Sequence, residues 1–215
     1  MNMTEELVHI PTDKALIEGE LRVPVNPQGI ILFAHGSGSS RHSPRNNFVA
    51  RVLNNSGLAT LLMDLLTIEE DSNYATRFDI DLLTERLLIV TSWLQNKVQT
   101  SNLPIGYFGA STGAAAALKA AARETMVRAV VSRGGRPDLA GNDLQRVNSP
   151  VLLLVGGHDY GVIELNEEAF KQLQPTKKLI LVSGATHLFE EAGTLEQVAD
   201  YAADWFNLHL APVKV

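Results

Sequence analysis

Short apolar runs alternate along this chain with longer segments whose apolar residues recur at helical spacing. Runs this short are typical of strands that are buried on both faces of a parallel sheet. Two earlier runs, Leu7–Ile10 and Leu16–Val23, are also predicted to be strands, joined by a turn at Pro11–Lys14. The six later strands are predicted at Ile30–Ala34, Leu58–Met63, Ile105–Phe108, Ala129–Ser132, Val151–Val155 and Leu179–Val182.

The longer segments are predicted to be helices. The clearest is Ile80–Lys97, in which three leucines and a valine recur at the spacing of one helix face. For the last helix we expect Thr194 as the N-cap, with Gln197 completing a capping box. The five predicted helices are Phe48–Asn55, Ile80–Lys97, Ala114–Ala122, Glu164–Leu173 and Leu195–Leu210.

This order of elements predicts a short antiparallel start followed by repeated strand–helix units. The expected architecture is a mostly parallel sheet with helices on both faces, in a single domain over residues 1–215. Ligands of such sheets bind at the carboxyl ends of the strands. The residues that directly follow each apolar run are therefore the candidates for a functional site.

The segment Gly109–Gly113 joins a predicted strand to an alanine-rich predicted helix. A serine with glycines two positions before and after it fits a sharp strand-to-helix turn, where larger side chains would collide with neighbouring backbone. Such a turn lifts the hydroxyl off the sheet and leaves a backbone N–H free behind it. Ser111 is therefore a candidate nucleophile. An ordinary glycine-rich turn is the alternative, since five residues alone are a weak signal.

The segment His35–Ser40, rich in glycine and serine, follows the first of the six strands. It is not a nucleotide-binding loop, because the dinucleotide fingerprint needs glycine where Arg41 stands and a Walker loop ends in Gly-Lys-Ser/Thr. We interpret it as an oxyanion loop in which Ser37 or Gly38 offers one backbone N–H. The N–H of Thr112 would offer the other.

Asp159 and His187 follow the last two predicted strands. With Ser111 they give the chain order Ser, Asp, His, each at the carboxyl end of a strand. A serine hydroxyl is a poor nucleophile at neutral pH, so His187 would take its proton and later return one to the leaving group. Asp159 would fix the tautomer of the imidazole and favour its charged form.

Other acids and histidines fit these roles less well. Asp138 is the main alternative acid, because it follows the strand before the last two. We expect Asp64 to tie neighbouring loops together and His35 to make structural hydrogen bonds. The lower-ranked candidates are Asp143, Glu164, His9, His42, His158 and His209.

Four arginines near strand ends could grip an anionic substrate through the planar guanidinium fork: Arg41, Arg45, Arg133 and Arg136. For the group as a whole we favour pairing with surface carboxylates. Arg133 is the candidate substrate-binding residue, because it directly follows a strand. The sequence has no HExxH motif and no ligand-like cluster of histidines, so we expect neither a metal nor another cofactor.

Composition narrows the function further. The 215 residues, 45% of them hydrophobic, suit a domain with a full core. A net charge of -6 argues against nonspecific nucleic-acid binding, which requires phosphate neutralisation. The absence of cysteine excludes disulfides, thiolate catalysis and cysteine zinc sites. No signal peptide or run of the ~20 apolar residues that span a bilayer is visible. We expect a cytoplasmic protein with a small-molecule acyl substrate and no nucleic-acid or membrane partner.

The chain resembles the α/β-hydrolase superfamily, and within it the dienelactone hydrolase-like branch. The resemblance implies an eight-stranded, mostly parallel sheet and a triad of Ser111, His187 and Asp159. Dienelactone hydrolases proper use a cysteine nucleophile, which this chain lacks, so esterase-like chemistry fits better than lactone hydrolysis. Many relatives insert a cap domain after the sixth strand, where this chain has room for one short helix only. The residues that carry the resemblance are His35–Gly38, Gly109–Gly113, Gly157–Asp159 and Gly184–His187.

These observations predict a serine hydrolase that cleaves a small ester-type bond through an acyl-enzyme. A non-catalytic binding or sensing protein on the same fold is the alternative, because fold does not dictate function. The presence of all three triad residues argues against it. A partner domain that works beside another enzyme is a third option, although the sequence has no obvious binding segment.

Overall fold

A computed structural model describes residues 3–12, 15–174 and 176–211, and its strands form one eight-stranded sheet. The strand order is β1-β2-β4-β3-β5-β6-β7-β8. β2 runs antiparallel to β1 and β4, whereas the pairs from β4 to β8 are parallel. The strands are β1 (Thr4–Pro11), β2 (Leu16–Val23), β3 (Ile30–Ala34), β4 (Ala59–Met63), β5 (Ile105–Ala110), β6 (Val127–Arg133), β7 (Val151–Gly156) and β8 (Lys177–Val182).

Helices cover both faces of this sheet, which confirms the predicted fold class. The helices are α1 (Pro44–Asn55), α2 (Ile68–Asp71), α3 (Ile80–Asn96), α4 (Thr112–Ala121), α5 (Tyr160–Gln172) and α6 (Thr194–Leu210). α1 and α6 pack on one face, and α3, α4 and α5 pack on the other. Within the described ranges, no helix combines the length and the apolar character that a membrane crossing requires.

The central strands are buried on both faces, which explains why they appear in the sequence as continuous apolar runs. In β3, Ile30 and Leu32 pack toward α3 and α4, whereas Ile31 and Phe33 pack toward α1 and α6. Each fully buried side chain of this size contributes about 1.5–3 kcal/mol relative to an exposed one. The sheet is therefore stabilised from two hydrophobic cores, one on each face.

Several helix boundaries differ from the sequence prediction. α1 begins at Pro44, four residues before the predicted start, because the Ser43 hydroxyl caps it by accepting the Asn46 N–H at 3.3 Å. The short helix α2 was not predicted. Its signal was present, since Thr67 and Glu70 form a reciprocal capping box. The predicted turn at Pro11–Lys14 lies partly outside the described residues.

The predicted capping box at the start of α6 is wrong. Gly193, with a left-handed φ of 79°, is the N-cap residue, and no side chain caps the helix. Thr194 is the first helical residue, and its hydroxyl donates to the Glu191 carbonyl at 2.7 Å. Gln197 instead contacts the Gly193 carbonyl through its side-chain amide at 3.1 Å. The Thr-x-x-Gln spacing alone therefore did not show whether the threonine is the N-cap or the first residue of the helix.

The connection between β6 and β7 is short, as expected from the sequence. It contains a 3-10 helical segment, Pro137–Arg146, that breaks at Gly141, where φ is 56°. A Cβ atom at Gly141 would meet nothing within 4 Å. The carboxyl ends of the central strands thus carry no cap domain at this connection.

α4 packs very close to the sheet at its first turn. A Cβ atom on Gly113 would lie only 2.1 Å from the Ala34 carbonyl oxygen at the end of β3. One on Gly109 would lie 2.4 Å from the Cα atom of Ala114. These glycines are required because backbone, which cannot move aside as a flexible side chain can, occupies the space of a side chain.

We expect Gly113→Ala to lower the free energy of unfolding by at least about 2 kcal/mol, because the added methyl group overlaps fixed backbone. Urea denaturation followed by circular dichroism measures this change. Gly161→Ala is the matched control, because a Cβ atom there meets nothing within 4 Å and the site lies in α5. It should leave stability unchanged or raise it by up to about 1 kcal/mol. Equal stability of the two variants would contradict the close approach.

Candidate active site

Ser111 occupies the turn between β5 and α4 in a strained backbone conformation, with φ 51° and ψ -121°. A non-glycine residue in such a region costs on the order of 1–3 kcal/mol and persists only where its surroundings enforce it. Here the Ser111 N–H donates to the Arg133 carbonyl at 3.2 Å, and the Ser111 carbonyl accepts from Ala114 and Arg136, both at 3.1 Å. The backbone of β6 and α4 thus holds the serine at the carboxyl edge of the sheet.

His187 and Asp159 are brought together at the same edge, after β8 and β7. The His187 Nδ1 lies 2.6 Å from the Asp159 Oδ2. Because a carboxylate can only accept, Nδ1 carries the hydrogen, and in the neutral ring Nε2 is then the acceptor. The ring also lies beside the serine turn: a Cβ atom on Gly134 would be 3.6 Å from the His187 Cε1, and Gly134 follows the residue that accepts the Ser111 N–H.

The alternative acids are engaged elsewhere. Both oxygens of Asp138 accept hydrogen bonds from Arg136, at 2.9 and 2.8 Å. Asp143 pairs with Arg146 at 3.3 Å. The structure therefore brings Asp159, rather than Asp138, to the imidazole of His187.

The predicted oxyanion loop lies directly against the serine. A Cβ atom on Gly36 would be 3.0 Å from the Ser111 Cβ. The Ser37 N–H, however, donates to the Thr112 Oγ1 at 2.9 Å, so the expectation that Ser37 offers a free donor is not met. Among the described residues, the backbone N–H groups of Gly38 and Thr112 have no hydrogen-bond acceptor. Thr112 opens α4, where the helix leaves its N–H groups unpaired and carries a partial positive charge.

His35 ties the loop to β4, as predicted. Its Nδ1 lies 2.9 Å from the Gly36 carbonyl, and its Nε2 accepts the Leu65 N–H at 3.0 Å. This pair of bonds fixes the neutral tautomer with hydrogen on Nδ1. Burial lowers the pKa of His35, because it penalises the charged ring. His35 is therefore a structural residue of the loop.

Asp64 also confirms its expected role as a tie between loops. Its Oδ1 accepts the Arg41 N–H at 2.7 Å, and its Oδ2 pairs with the Arg41 guanidinium. The same guanidinium reaches Glu18 on β2 at 2.5 Å. These contacts join the segments that follow β3 and β4 to the antiparallel edge of the sheet.

Three of the four arginines near strand ends pair with carboxylates, as favoured from the sequence. Arg41 pairs with Asp64 and Glu18, Arg45 with Glu190, and Arg136 with Asp138. Arg133 does not follow this pattern. It is buried, and its Nη2 contacts the side-chain oxygen of Asn46 at 3.3 Å.

A cavity of about 820 Å³ adjoins the loop but not the serine. It is lined by the segments after β3 and β4, including His35, Ser40 and Asp64, and none of Ser111, His187 and Asp159 contributes to its wall. The histidine–aspartate pair is outside this cavity, and the His187 side chain is 40% exposed, so this edge of the sheet is open to solvent. The described part of the chain holds no group of three or more metal-ligating side chains.

The sheet order and the placement of its helices are those of the α/β-hydrolase fold. Residues 17–210 match the family model of the dienelactone hydrolase family, and the chain belongs to that family. The structure of the dienelactone hydrolase from Anabaena variabilis is 51% identical, with a TM-score of 0.94 and coverage of 96% of this chain and 98% of that one.

A more distant structure and a longer curated protein are also similar to this chain. Est1E from Butyrivibrio proteoclasticus shares the fold, with a TM-score of 0.80 at 18% identity and coverage of 96% and 99%. A Mycobacterium tuberculosis H37Rv protein, whose name describes it provisionally as a phosphoribosyl transferase, is 57% identical over 209 residues. The match covers 97% of this chain and 47% of that protein. The chain thus spans about half the length of the curated relatives that it matches.

The buried His35 makes stability depend on pH. The unfolded chain binds a proton at this ring more readily than the folded chain, so the free energy of unfolding should fall as pH drops below the ordinary histidine value of 6.5. We expect His35→Gln to be less stable at about pH 8 and to show a flatter pH dependence down to about pH 5. Urea denaturation across this range measures the slope.

The exposed His42 provides the control for this experiment. His42→Gln should keep the slope of the wild-type protein, because the ring lies at the surface. If His35→Gln also keeps that slope, the ring does not change its proton affinity on folding.

Proposed function

We propose that the protein is a serine hydrolase that cleaves a small ester-type bond through an acyl-enzyme on Ser111. The observation that carries this proposal is the 2.6 Å contact between His187 and Asp159, which lies beside a strained serine turn at the carboxyl edge of the sheet. Nucleophile, base and acid come from the ends of β5, β8 and β7. That is the set of roles that acyl transfer requires.

In the proposed reaction, the Ser111 Oγ attacks the carbonyl carbon of the substrate while His187 Nε2 accepts the hydroxyl proton. Asp159 accepts the hydrogen bond from Nδ1 and stabilises the imidazolium that forms. The imidazolium then donates its proton to the leaving alcohol, which departs and leaves the acyl group on Ser111. A water molecule, deprotonated by Nε2, then attacks the acyl carbonyl carbon. The bond from this carbon to the Ser111 Oγ breaks, Oγ takes the proton back from the imidazolium, and the acid is released.

The negative charge that develops on the carbonyl oxygen needs hydrogen-bond donors. We assign this role to the N–H groups of Thr112 and Gly38, which have no other acceptor among the described residues. Losing one such donor typically costs about 10²–10³-fold in rate. The hydroxyl of Thr112 acts indirectly, because it accepts the Ser37 N–H and so holds the donor loop against α4.

The open edge and the missing cap favour a small or externally presented acyl group, and Ser111 in place of a cysteine favours esters. The similarity to Est1E is evidence for the shared fold and not for the activity. The mycobacterial relatives are about twice as long as this chain. A hydrolase domain that works beside a second domain is therefore the second candidate function, and copurification of a partner with the tagged protein tests it.

We expect Ser111 to be labelled stoichiometrically by a fluorophosphonate, which reacts with an activated serine. Ser111→Ala should lose the label, and it should lower kcat on p-nitrophenyl esters by at least about 10³-fold. Intact-protein mass spectrometry and a chain-length series of these esters are the measurements. Folded wild-type protein that neither takes the label nor turns over any ester would leave the non-catalytic binding protein as the function.

The two candidate acids can be compared directly. Asp159→Asn should lower kcat by about 10³–10⁴-fold, because the imidazole loses its acceptor and the correct tautomer. Asp138→Asn removes the same charge from a carboxylate that contacts Arg136 instead, and it should change kcat by less than about tenfold. A collapse of the rate in Asp138→Asn alone would assign the acid to Asp138.

Thr112→Val tests the hold on the donor loop. The variant keeps the shape and the backbone N–H of Thr112 but leaves the Ser37 N–H without its acceptor, at a cost of about 1–3 kcal/mol. We expect kcat to fall about tenfold with little change in KM, since the loop serves the transition state. Thr112→Ser restores the oxygen and should recover most of the rate. Equal rates of the valine and serine variants would show that the bond does not position the loop.

A further inference from the structure

Arg133, the last residue of β6, is a buried guanidinium without a carboxylate. It is 7% exposed, and its hydrogen bond with a described residue goes from Nη2 to the neutral Asn46 side chain. Its Nε is enclosed and has no acceptor. The guanidinium lies over the ring of Phe189, with 5.9 Å from its central carbon to the ring centroid. An ion held in this way is unusual, because buried charges are normally paired.

A second guanidinium faces the same region from α1. Arg45 precedes Asn46 in the first turn of α1, and its charge acts on Arg133. Burial, together with this repulsion, lowers the pKa of Arg133 to about 10, so it remains charged at neutral pH. Glu190 pairs with Arg45 at 3.0 Å, but its side chain is 64% exposed. Glu190 is thus the carboxylate of Arg45 and lies at the surface, whereas Arg133 has no carboxylate partner among the described residues.

Each guanidinium keeps an available donor. Neither Nη1 of Arg133 nor Nη2 of Arg45 makes a hydrogen bond with a described residue, and neither is among the fully enclosed atoms. Arg45 and Asn46 both belong to the first turn of α1, whose partial positive charge adds to that of the arginines. This group of residues is built to receive negative charge.

The group adjoins the candidate active site at two points, the backbone of Arg133 and the ring of Phe189. The Arg133 carbonyl accepts the Ser111 N–H at 3.2 Å, so the guanidinium projects from a residue bonded to the serine turn. Phe189, whose ring it contacts, is two residues beyond His187. A ligand bound at Ser111 could therefore place a charged group near Arg133.

We propose that Arg133, Arg45 and Asn46 form an anion subsite that binds a carboxylate or phosphate group carried by the substrate of Ser111. This inference rests on the proposed function for the identity of the ligand as an ester substrate. A bound oxyanion would supply the charge that Arg133 lacks and would relieve its repulsion with Arg45. The planar forks of two arginines suit the several oxygens of such a group.

The test compares esters that differ only in charge. The p-nitrophenyl half-ester of adipate is paired with its methyl-capped form, and p-nitrophenyl phosphonopentanoate with its dimethyl ester. We expect kcat/KM of the wild-type protein to be at least about tenfold higher for one anion than for its capped form. Whichever pair shows the larger ratio identifies carboxylate or phosphate. In Arg133→Gln this ratio should fall to about one, and Arg133→Lys, which keeps the charge without the fork, should be intermediate.

Arg51→Gln is the matched control, because it removes an exposed arginine from the same helix. It should keep the charge preference and the basal rate. If Arg133→Gln does not fold, as judged by circular dichroism, Arg45→Gln replaces it and should lower the ratio at least threefold or so. A preference for anions that persists in folded Arg133→Gln and in Arg45→Gln overturns the subsite.

Binding to Ser111→Ala separates this inference from the proposed function, because it needs no turnover. We expect calorimetry to show monomethyl adipate, or inorganic phosphate, binding at least about tenfold tighter than dimethyl adipate. Adding Arg133→Gln should remove the difference. Charge-selective binding without ester turnover by the wild-type protein would keep the subsite and refute the serine hydrolase. Ester turnover without any charge preference, in rate or in binding, would do the reverse.

Discussion

The site depends on the contact between backbone and backbone where α4 meets the ends of β3 and β5. Because Gly113 has no side chain, the first turn of α4 packs directly against the Ala34 carbonyl. This close approach determines where the residues of the serine turn lie. The serine before the helix is then forced into its strained conformation. The hydroxyl of Thr112 comes within 2.9 Å of the Ser37 N–H. The contact at Gly113 is between main-chain atoms and is set by the fold, whereas the position of the donor loop also depends on the Thr112 side chain.

A second layer of contacts holds the loops that carry the remaining groups. His35 and Asp64 bind backbone N–H groups across the ends of β3 and β4, and Asp159 orients His187 across β7 and β8. Each tie joins segments that follow neighbouring strands. These hydrogen bonds hold the loops at the edge of the sheet without a cap domain after β6. Arg133 is the residue at this edge that is hardest to explain by its contribution to stability, because a buried charge without a counterion is costly.

The sequence predicted the secondary structure best for strands that are buried on both faces. Such strands must be apolar along their whole length, so β3, β5 and β7 could be located closely from continuous apolar runs in the sequence. The order of the site residues followed from the strand ends. Local hydrogen-bond competition was less predictable: the Ser37 N–H is taken by Thr112, 75 positions away. A spacing cannot reveal such a contact. The same applies to the cap of α6, where Gly193 is the N-cap residue although Thr194 has the preferred side chain.

The break in the 3-10 segment after β6 has a consequence for how this fold can diversify. Gly141 lies beyond the Arg136 N–H that bonds the serine turn, and a side chain at this position would point into open space. An insertion at Gly141 would leave in place the hydrogen bonds that hold Ser111, because they involve Arg133, Arg136 and Ala114. Gly141 is thus a position where inserted residues would change substrate selection without changing the catalytic groups.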